Sequence, residues 1–272
     1  MILSRTARWL LGLAVMIGLG FIYIPLGVVI INSFNASQVF SWPPSEWTLR
    51  WWSAALQNDG VRAALASSVK AGLGATCIAL VLGTALSFAL VRYDFFGRTA
   101  INFLVVLPIS LPGIVTGIAL NTSFTTVLKP FGISLGLFTV VLGHATFCVV
   151  VVFNNVSARL RRVGLSLEEA SSDLGASLFQ TFRYVTLPQL QSALVAGALL
   201  AFALSFDEIV VTTFTSGAGV QTLPQWIFNN LFRPNQGPIV NAVAALLLLA
   251  FVGPVWLAER MSGAESRGAG RL

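Results

Sequence analysis

Six long apolar runs, separated by short polar segments, constrain the fold of this 272-residue chain more than any other feature. A helix needs about 20 apolar residues to cross a hydrocarbon core of about 30 Å, and a chain in lipid must pair its backbone groups internally. We therefore predict an all-α membrane protein in which each run is one transmembrane helix. The predicted spans are, approximately, residues 9–31, 69–91, 101–120, 135–156, 192–214 and 239–258.

The composition excludes a water-soluble fold. Hydrophobic residues make up 56% of the chain and charged residues 10%, whereas about a quarter of a soluble protein is charged. The 16 basic and 10 acidic residues are too few to cover a solvent-exposed surface. The basic residues occur singly between apolar runs rather than in a cluster, which argues against nucleic-acid binding in spite of the net charge of +6.

The chain offers few groups for catalysis or metal binding. Its one histidine, His144, and its two cysteines, Cys77 and Cys148, all lie in apolar runs. No thiolate metal site or disulfide framework is therefore indicated. A lone histidine without an acidic neighbour is more often a packing or hydrogen-bonding residue than a catalyst. We predict no catalytic residue, no metal site and no cofactor in this chain, which argues against an intramembrane enzyme.

The distribution of Lys and Arg predicts the orientation in the membrane, because cytoplasmic loops carry an excess of these residues. One set of alternating loops holds the smaller group of basic residues: Arg50, Arg62, Lys70, Lys129 and Arg233. The remaining loops and both ends of the chain hold the larger group: Arg5, Arg8, Arg92, Arg98, Arg159, Arg161, Arg162, Arg183, Arg260, Arg267 and Arg271. We therefore predict that both termini are cytoplasmic.

Prolines and small residues within the spans predict where helices bend and where they pack. Pro108 and Pro112 each remove a backbone donor from the third span, so we expect a kinked or partly unwound helix there. Small residues four apart let another helix approach closely. Two such rows occur in the fifth and second spans: Ala193, Gly197 and Ala201, and Gly83 with Ser87.

The longest inward-facing segment is the loop of residues 157–191 between the fourth and fifth spans. Ser166 and Glu169 have the spacing of a capping box, which predicts a short helix from Leu167 that ends at Gly175. A second segment places apolar residues at i, i+4 and i+7, before a Leu-Pro pair that we expect to turn the chain toward the next span. These apolar residues are Leu178, Phe182 and Val185, and the pair is Leu187-Pro188.

The apolar face of this predicted helix-turn-helix has two interpretations. It could pack on the ends of the chain's own spans, or it could dock in a groove of a soluble partner. Spacing alone does not decide between them.

The same loop resembles the EAA motif of ABC-importer permeases, which reads Glu-Ala-Ala, three residues, Gly, nine residues, Ile, one residue, Leu-Pro. The matching residues here are Glu169, Ala170, Ser171, Gly175, Val185, Leu187 and Pro188. Every spacing fits, and the departures, Ser171 for alanine and Val185 for isoleucine, are close in size. A second block, with Asp207 and Glu208 followed by Thr215-Ser216-Gly217, is similar to spermidine/putrescine-type permeases.

The resemblance implies a type I ABC-importer permease, a six-helix bundle in which residues 1–272 form a single transmembrane permease domain. It implies a bacterial inner-membrane complex with a second permease subunit, a different chain in the resembled family, two copies of an ATP-binding subunit and an extracytoplasmic solute-binding protein. ATP and Mg would be bound by the partner, since this chain has no Gly-x-x-x-x-Gly-Lys-Ser/Thr loop. The residues implied in coupling to the ATPase are Glu169, Ala170, Ser171, Gly175, Leu178, Phe182, Val185, Leu187 and Pro188.

Asp207 and Glu208 are the only acidic residues placed inside a predicted span, and such residues are functional candidates by default. Adjacent residues of a helix point about 100° apart, so the two acids should face different ways. Glu208 continues a row of small and polar residues and is the better candidate for a wet pathway that attracts a cationic amine. Asp207 would instead make a structural or gating contact. The candidate pathway residues are Ser205, Asp207, Glu208 and Thr212, with a purely structural role for both acids as the alternative.

A secondary transporter driven by an ion gradient is the alternative function. Broken helices and intramembrane acids are common in such proteins. Here the helix would be broken at Pro108 and Pro112, and the acids would be Asp207 and Glu208. Against it stand the six spans, the lack of an evident internal repeat and the loop that resembles an ATPase-docking motif. The resemblance favours a polyamine as substrate, while opines and related amine-bearing solutes remain open.

Overall fold

The regular structure of this chain is helical throughout the residues that the computed structural model describes, which are 4–38, 43–44 and 46–251. In chain order the α-helices are α1 (Arg5–Ser33), α2 (Arg50–Gln57), α3 (Asp59–Arg92), α4 (Arg98–Ser110), α5 (Gly113–Val127), α6 (Leu137–Arg162), α7 (Ser166–Asp173), α8 (Leu178–Thr181), α9 (Leu187–Phe206), α10 (Val210–Thr215), α11 (Leu223–Leu231) and α12 (Gly237–Phe251). The prediction of a mostly helical membrane protein is confirmed.

Four helices in this part of the chain are long and apolar enough to cross a membrane. They are α1, α3, α6 and the continuous helix Leu178–Phe206, which contains α8, one π-helical turn and α9. The helices α4 and α5 would make a fifth span if they cross the membrane together. The sixth predicted span, 239–258, begins within α12, and its residues beyond 251 lie outside the described part of the chain. The number of six spans therefore stays a prediction.

The third predicted span is broken rather than merely kinked. The helices α4 and α5 meet at an angle of 108°. Leu111, between them, has an extended backbone, with φ −84° and ψ 146°. The following residue is Pro112, whose ring disfavours a helical conformation of the residue before it. Pro108, by contrast, lies within α4 without ending it. One proline therefore accounts for the break that the sequence predicted from both.

The fifth predicted span ends early, and this corrects the sequence analysis. The helix α9 stops at Phe206, and α10 begins only at Val210. The carboxylate of Glu208 accepts a hydrogen bond from the Val211 backbone N–H at 2.8 Å. This bond satisfies one of the free N–H groups at the start of α10. The expectation that Asp207 and Glu208 point apart on one helix is therefore wrong, because neither lies in a helix.

The helix α6 is the centre of the packed core, and α3 approaches it very closely. A Cβ atom at Gly83 would lie 2.9 Å from both the Val149 carbonyl oxygen and the Val152 side chain. One turn along α3, the hydroxyl of Ser87 donates to the carbonyl oxygen of Phe153 at 3.0 Å. Only small residues fit at such a contact. The row of Gly83 and Ser87 therefore packs against a helix of the same chain.

The second row of small residues packs on another side of α6. A Cβ atom at Gly197 of α9 would lie 3.5 Å from the Cα atom of Val152. Ala201 is completely buried, and its carbonyl oxygen accepts a hydrogen bond from the Cys148 thiol at 3.3 Å. The core cluster accordingly combines residues of α3, α6 and α9. Both rows predicted to admit another helix are used within this chain.

The chain divides into two compact units. One unit is residues 63–225, which include α4 to α10 and most of α3. The other comes from the described parts of residues 1–62 and 226–272. In that unit, the Trp51 indole N–H donates to the Asn35 carbonyl oxygen at 2.9 Å, and Asn35 also pairs with Trp47 in an isolated antiparallel bridge. The prediction of one permease domain over the whole chain stays a prediction.

Replacing Gly83 with alanine should destabilise the protein, because the added methyl group would lie against the backbone of α6. Overpacking of this kind costs about 1–3 kcal/mol. Gly12 of α1 has open space at its Cβ position, so Gly12→Ala is the matched control and should leave stability unchanged or slightly higher. Thermal unfolding in detergent micelles measures the difference. A G83A variant as stable as the wild type would contradict the close contact of α3 with α6.

Candidate functional site

The helix α7 begins differently from the predicted capping box. Leu165 already has helical backbone angles, and its carbonyl oxygen accepts from the Glu169 N–H at 2.9 Å. Ser166 is therefore inside the helix, and no side chain caps the helix at its N-terminus. The prediction of a Ser166–Glu169 capping box is wrong because the helix starts one residue before the position that would make Ser166 the cap.

The end of α7 confirms the predicted stop at Gly175. This residue has a φ of +80°, a left-handed conformation that favours glycine. The Gly175 N–H donates to the Ser172 carbonyl oxygen at 2.9 Å, and the Ala176 N–H donates to the Ser171 carbonyl oxygen at 3.1 Å. These two bonds form the Schellman arrangement that satisfies the last carbonyl groups of a helix. Gly175 thereby sets the direction in which the chain leaves α7.

A hydroxyl pair fastens α7 to the segment that follows. The Ser171 and Thr181 hydroxyl oxygens lie 3.0 Å apart, and Thr181 is buried. Ser177 caps α8, since its hydroxyl accepts from the Gln180 N–H while the Gln180 side chain accepts from the Ser177 N–H. The serine that replaces the second alanine of the EAA-like sequence therefore ties the two short helices together. We name residues 163–186, which contain α7 and α8, the α7–α8 loop.

The three predicted docking residues do not share one face. Leu178 is 84% exposed. Phe182 is half-buried and lies edge-to-face on Phe88 of α3, with 5.5 Å between the ring centroids. Val185 is half-buried as well and lines, with Tyr184, a cavity of about 350 Å³ beside Gly175. Phe182 thus follows the interpretation in which the loop packs on its own spans, while Leu178 stays open.

A π-helical turn covers Phe182–Thr186, immediately after α8. Its wider turn displaces Val185 from the position that a regular spacing of i, i+4 and i+7 predicts. The expectation that Leu187-Pro188 turns the chain is also wrong. Both residues follow the π-helical turn without a break, so Pro188 lies within the continuous helix Leu178–Phe206.

The most exposed apolar residues of the α7–α8 loop form its outer surface. Leu174 is 89% exposed and Phe179 is 69% exposed. Apolar surface of this kind, next to polar groups, is typical of a binding face for another protein. Glu169, Ala170 and Pro188 are exposed on the same segment. We call Leu174, Leu178 and Phe179 together the exposed apolar surface.

The break between α9 and α10 is closed by a buried polar network that the sequence analysis missed. His144 of α6 contacts the Ser205 hydroxyl through Nδ1 at 2.7 Å and the Thr212 hydroxyl through Nε2 at 2.8 Å. The Thr212 hydroxyl also lies 2.7 Å from the Glu208 carbonyl oxygen. His144 thus bridges Ser205 near the end of α9 and Thr212 in α10. The partners are 61 and 68 residues from His144, so no local pattern reveals them.

The predicted pathway residues have separate environments in the structure. Ser205 and Thr212 are buried, with 2% and 0% of their surface exposed. Glu208 is half-buried and its carboxylate caps α10. Asp207 is exposed, and no hydrogen bond or ion pair of its side chain is found among the described residues. Asp207 is thus the more open of the two acids, whereas the sequence favoured Glu208 as the pathway residue, and that role of Glu208 stays a prediction.

Side chains from two other helices hold α10 in place. Asn121 of α5 donates to the Phe214 carbonyl oxygen at 2.6 Å, and Thr139 of α6 donates to the Thr215 carbonyl oxygen at 2.7 Å. These bonds satisfy backbone groups that a helix of six residues cannot pair by itself. In the part of the chain that the structure describes, no group of three or more His, Cys, Asp or Glu residues could hold a metal ion.

Comparison with known proteins identifies the family. Residues 75–258 match the model of the family described as binding-protein-dependent transport system inner membrane component. The chain belongs to this family. The resemblance to ABC-importer inner-membrane permeases that the α7–α8 loop suggested is thereby confirmed, and the protein is a multi-pass membrane protein.

Members of this family with high similarity cover most of the chain. The putrescine transport system permease protein PotI of Escherichia coli K12 is 35% identical over 237 residues, which are 86% of this chain and 83% of PotI. The spermidine/putrescine transport system permease protein PotC of Shigella flexneri is 32% identical and covers 92% of each chain. A crystal structure of a bacterial ABC transporter that imports alginate has the same fold, with a TM-score of 0.69 at 16% identity over 94% of this chain and 98% of that chain.

Thr212→Val should destabilise this permease, because it keeps the side-chain shape but removes the hydroxyl partner of His144 Nε2 and of the Glu208 carbonyl oxygen. Unpaired buried polar groups cost about 1–3 kcal/mol. Thr125 is exposed and bonds only to backbone of its own helix, so Thr125→Val is the matched control and should change stability by less than about 0.5 kcal/mol. Unfolding in detergent compares the two variants. Equal stability of T212V and T125V would contradict the buried network.

Proposed function

We propose that this chain is the permease subunit of an ATP-driven ABC importer for a polyamine or a related amine-bearing solute. It would lie in the bacterial inner membrane with both termini in the cytoplasm. The observation that carries the proposal is the α7–α8 loop, an exposed helix-turn-helix with EAA-like spacing at the end of the packed core. The names of the relatives PotI and PotC, which transport putrescine and spermidine, support the substrate class.

The α7–α8 loop would seat in a cleft of an ATP-binding subunit and act as the coupling element. Leu178 and Leu174 expose more than four fifths of their surface, and a cleft that covers them would gain apolar burial. Glu169 and the other residues with EAA-like spacing would complete this contact. Gly175 and the Ser171–Thr181 pair would hold the two short helices at a fixed angle, so that the loop moves as one body.

The transport cycle would be alternating access. Two ATP-binding subunits close on ATP, and their movement turns this chain and a second permease subunit, a different chain, from inward-facing to outward-facing. An extracytoplasmic solute-binding protein would deliver the substrate. Such a cycle requires packed elements with two discrete arrangements that a ligand biases. ATP and Mg would remain with the partner, since the chain has no phosphate-binding loop of its own.

The break between α9 and α10 would be the part of this chain that meets the substrate. Asp207 presents an open carboxylate there, and Glu208 adds a second negative charge one residue away. Two carboxylates attract an ammonium group, and discontinuous helices at membrane depth are typical of substrate pathways in transporters. Ser205 and Thr212 would serve indirectly, because they hold the break through His144 rather than face the pathway.

Two alanine substitutions should separate docking from internal packing. Leu178→Ala removes an exposed side chain, so it should leave stability unchanged and weaken co-purification of the ATP-binding subunit by about tenfold or more, as a hot-spot residue does. Phe182→Ala removes a contact with Phe88 and should mainly lower thermal stability. Affinity purification and thermal unfolding measure both properties. Docking through Phe182 instead would appear as lost association in stable F182A protein, with L178A unaffected.

The function itself is tested in proteoliposomes that contain the assembled complex and its solute-binding protein. Spermidine or putrescine should stimulate ATP hydrolysis, and uptake of the labelled polyamine should require ATP. Asp207→Asn removes the open carboxylate and should lower uptake about tenfold, because a hydrogen bond to a charged group contributes about 1.5–3 kcal/mol. Glu208→Gln keeps an oxygen that can cap α10 and should have the smaller effect.

Three results would contradict this proposal. Uptake without ATP that stops when the ion gradient is dissipated would identify a secondary transporter. Stimulation by a solute without an amine would remove the substrate class. Unchanged uptake in both acidic variants, with normal assembly, would show that the break between α9 and α10 does not meet the substrate.

A further inference from the structure

A shielded ion pair lies at the base of the α7–α8 loop. Arg92 is the last residue of α3, and its Nη2 atom donates to the Glu168 carboxylate at 2.9 Å and to the Val163 carbonyl oxygen at 3.2 Å. The two charged side chains are 10% and 19% exposed. The other two ion pairs among the described residues are Arg62–Asp59 and Arg98–Asp94, and the aspartate side chains of these pairs are 99% and 91% exposed. The Arg92–Glu168 pair is thus the one that is withdrawn from solvent in this part of the chain.

The same carboxylate oxygen has a further partner in the π-helical turn. The Thr186 hydroxyl donates to Glu168 at 3.3 Å, and Thr186 is 2% exposed. Thr186 is the last residue of the turn and directly precedes α9. The Glu168 carboxylate therefore joins α7 to Arg92 of α3 and to Thr186 just before α9, and Arg92 in turn bonds to Val163, the residue after α6.

Stability alone is a poor explanation for this junction. Burial of two charges costs more solvation than the pair often returns, and apolar residues of similar volume are frequently as stable. The Nε atom of Arg92 is also buried without a hydrogen-bond partner among the described residues. A π-helical turn is rare and is frequently found at functional sites. A costly ion pair and a π-helical turn meet at one carboxylate, at the root of the segment that would contact the ATP-binding subunit.

We propose that Arg92, Glu168 and Thr186 are positioning residues that transmit movement of the coupling loop to the membrane helices. This inference rests on the proposed function, and it adds the contacts through which movement of α7 would pass to α3 and α9. When the ATP-binding subunit moves the exposed apolar surface, the junction pulls α3 and α9 with α7. The helix α9 leads directly to the break at Asp207, so the movement would reach the substrate end along one continuous helix. Without the junction, less of the movement of α7 would reach the membrane helices.

The test compares uptake per ATP hydrolysed in proteoliposomes of the complete complex. Glu168→Gln and Arg92→Gln each remove one charge of the junction, and Thr186→Val removes one hydrogen bond without uncovering a charge. Asp94→Asn, which breaks the exposed pair with Arg98 just after α3, is the matched control. We expect E168Q and R92Q to lower uptake per ATP at least about fivefold, the low end of coupling between sites. T186V should have a smaller effect in the same direction, and D94N should have none.

A charge exchange distinguishes positioning from mere structure. The double variant with Arg92→Glu and Glu168→Arg restores opposite charges and should recover at least about half of the wild-type ratio, although each single reversal should abolish coupling. If E168Q and R92Q lower the amount of assembled complex but leave uptake per ATP unchanged, the pair is only structural and the inference is wrong. If they do not assemble, T186V decides, since an unchanged ratio in T186V would overturn the inference.

Failure of the inference and failure of the proposed function look different. In the first case the wild-type complex couples uptake to ATP hydrolysis, and the junction variants couple as well as D94N. In the second case the wild-type complex itself shows no ATP-dependent uptake, whatever residue stands at position 168.

Discussion

The close packing of α3 and α9 against α6 is the interaction on which the rest of residues 63–225 depends. At Gly83 and Gly197 the helices approach so closely that backbone atoms of α6 lie 2.9 Å and 3.5 Å from where a Cβ atom would stand. In lipid there is no hydrophobic force between helices, so contacts of this kind, with the hydrogen bonds they permit, hold a bundle together. The same helix carries His144 in its first third, and Val163 directly follows its last residue; each of the two candidate sites includes one of these residues.

The two ends of α9, at the α7–α8 loop and at the break before α10, keep their backbone groups paired in different ways. A break in a membrane helix exposes backbone groups that water cannot reach, and each must find a partner inside the protein. Between α9 and α10, the Glu208 carboxylate and the Thr212 hydroxyl supply those partners, and His144 fixes the hydroxyl. At the other end of α9 the chain avoids a break by widening one turn, which keeps the helix continuous from Leu178 to Phe206. One continuous helix therefore links the two sites.

The α7–α8 loop differs from the core in what it leaves uncovered. Its inner residues contact other residues of this chain: Phe182 lies on Phe88, Thr181 pairs with Ser171, and Glu168 pairs with Arg92. Its outer residues, by contrast, are apolar and open. A segment that is held firmly from inside and bare on the outside can pass on a movement that it receives, because its shape does not change when the partner moves. This division between the two faces is the structural basis of the proposed coupling.

The sequence by itself determined the membrane class, the general position of α1, α3 and α6, the close packing at the small residues, the break near Pro112 and the stop at Gly175. Each of these follows from a local rule about lipid, side-chain size or backbone conformation. Only the tertiary structure decided the end of α9 at Phe206, the direction of Phe182, the burial of Ser205 and Thr212 and the pairing of Arg92 with Glu168. Those features depend on partners that are distant in the chain, such as His144, 68 residues from Thr212. A periodic pattern describes one helix at a time, and it contains no information about which distant side chain will satisfy a hydrogen bond in the folded core.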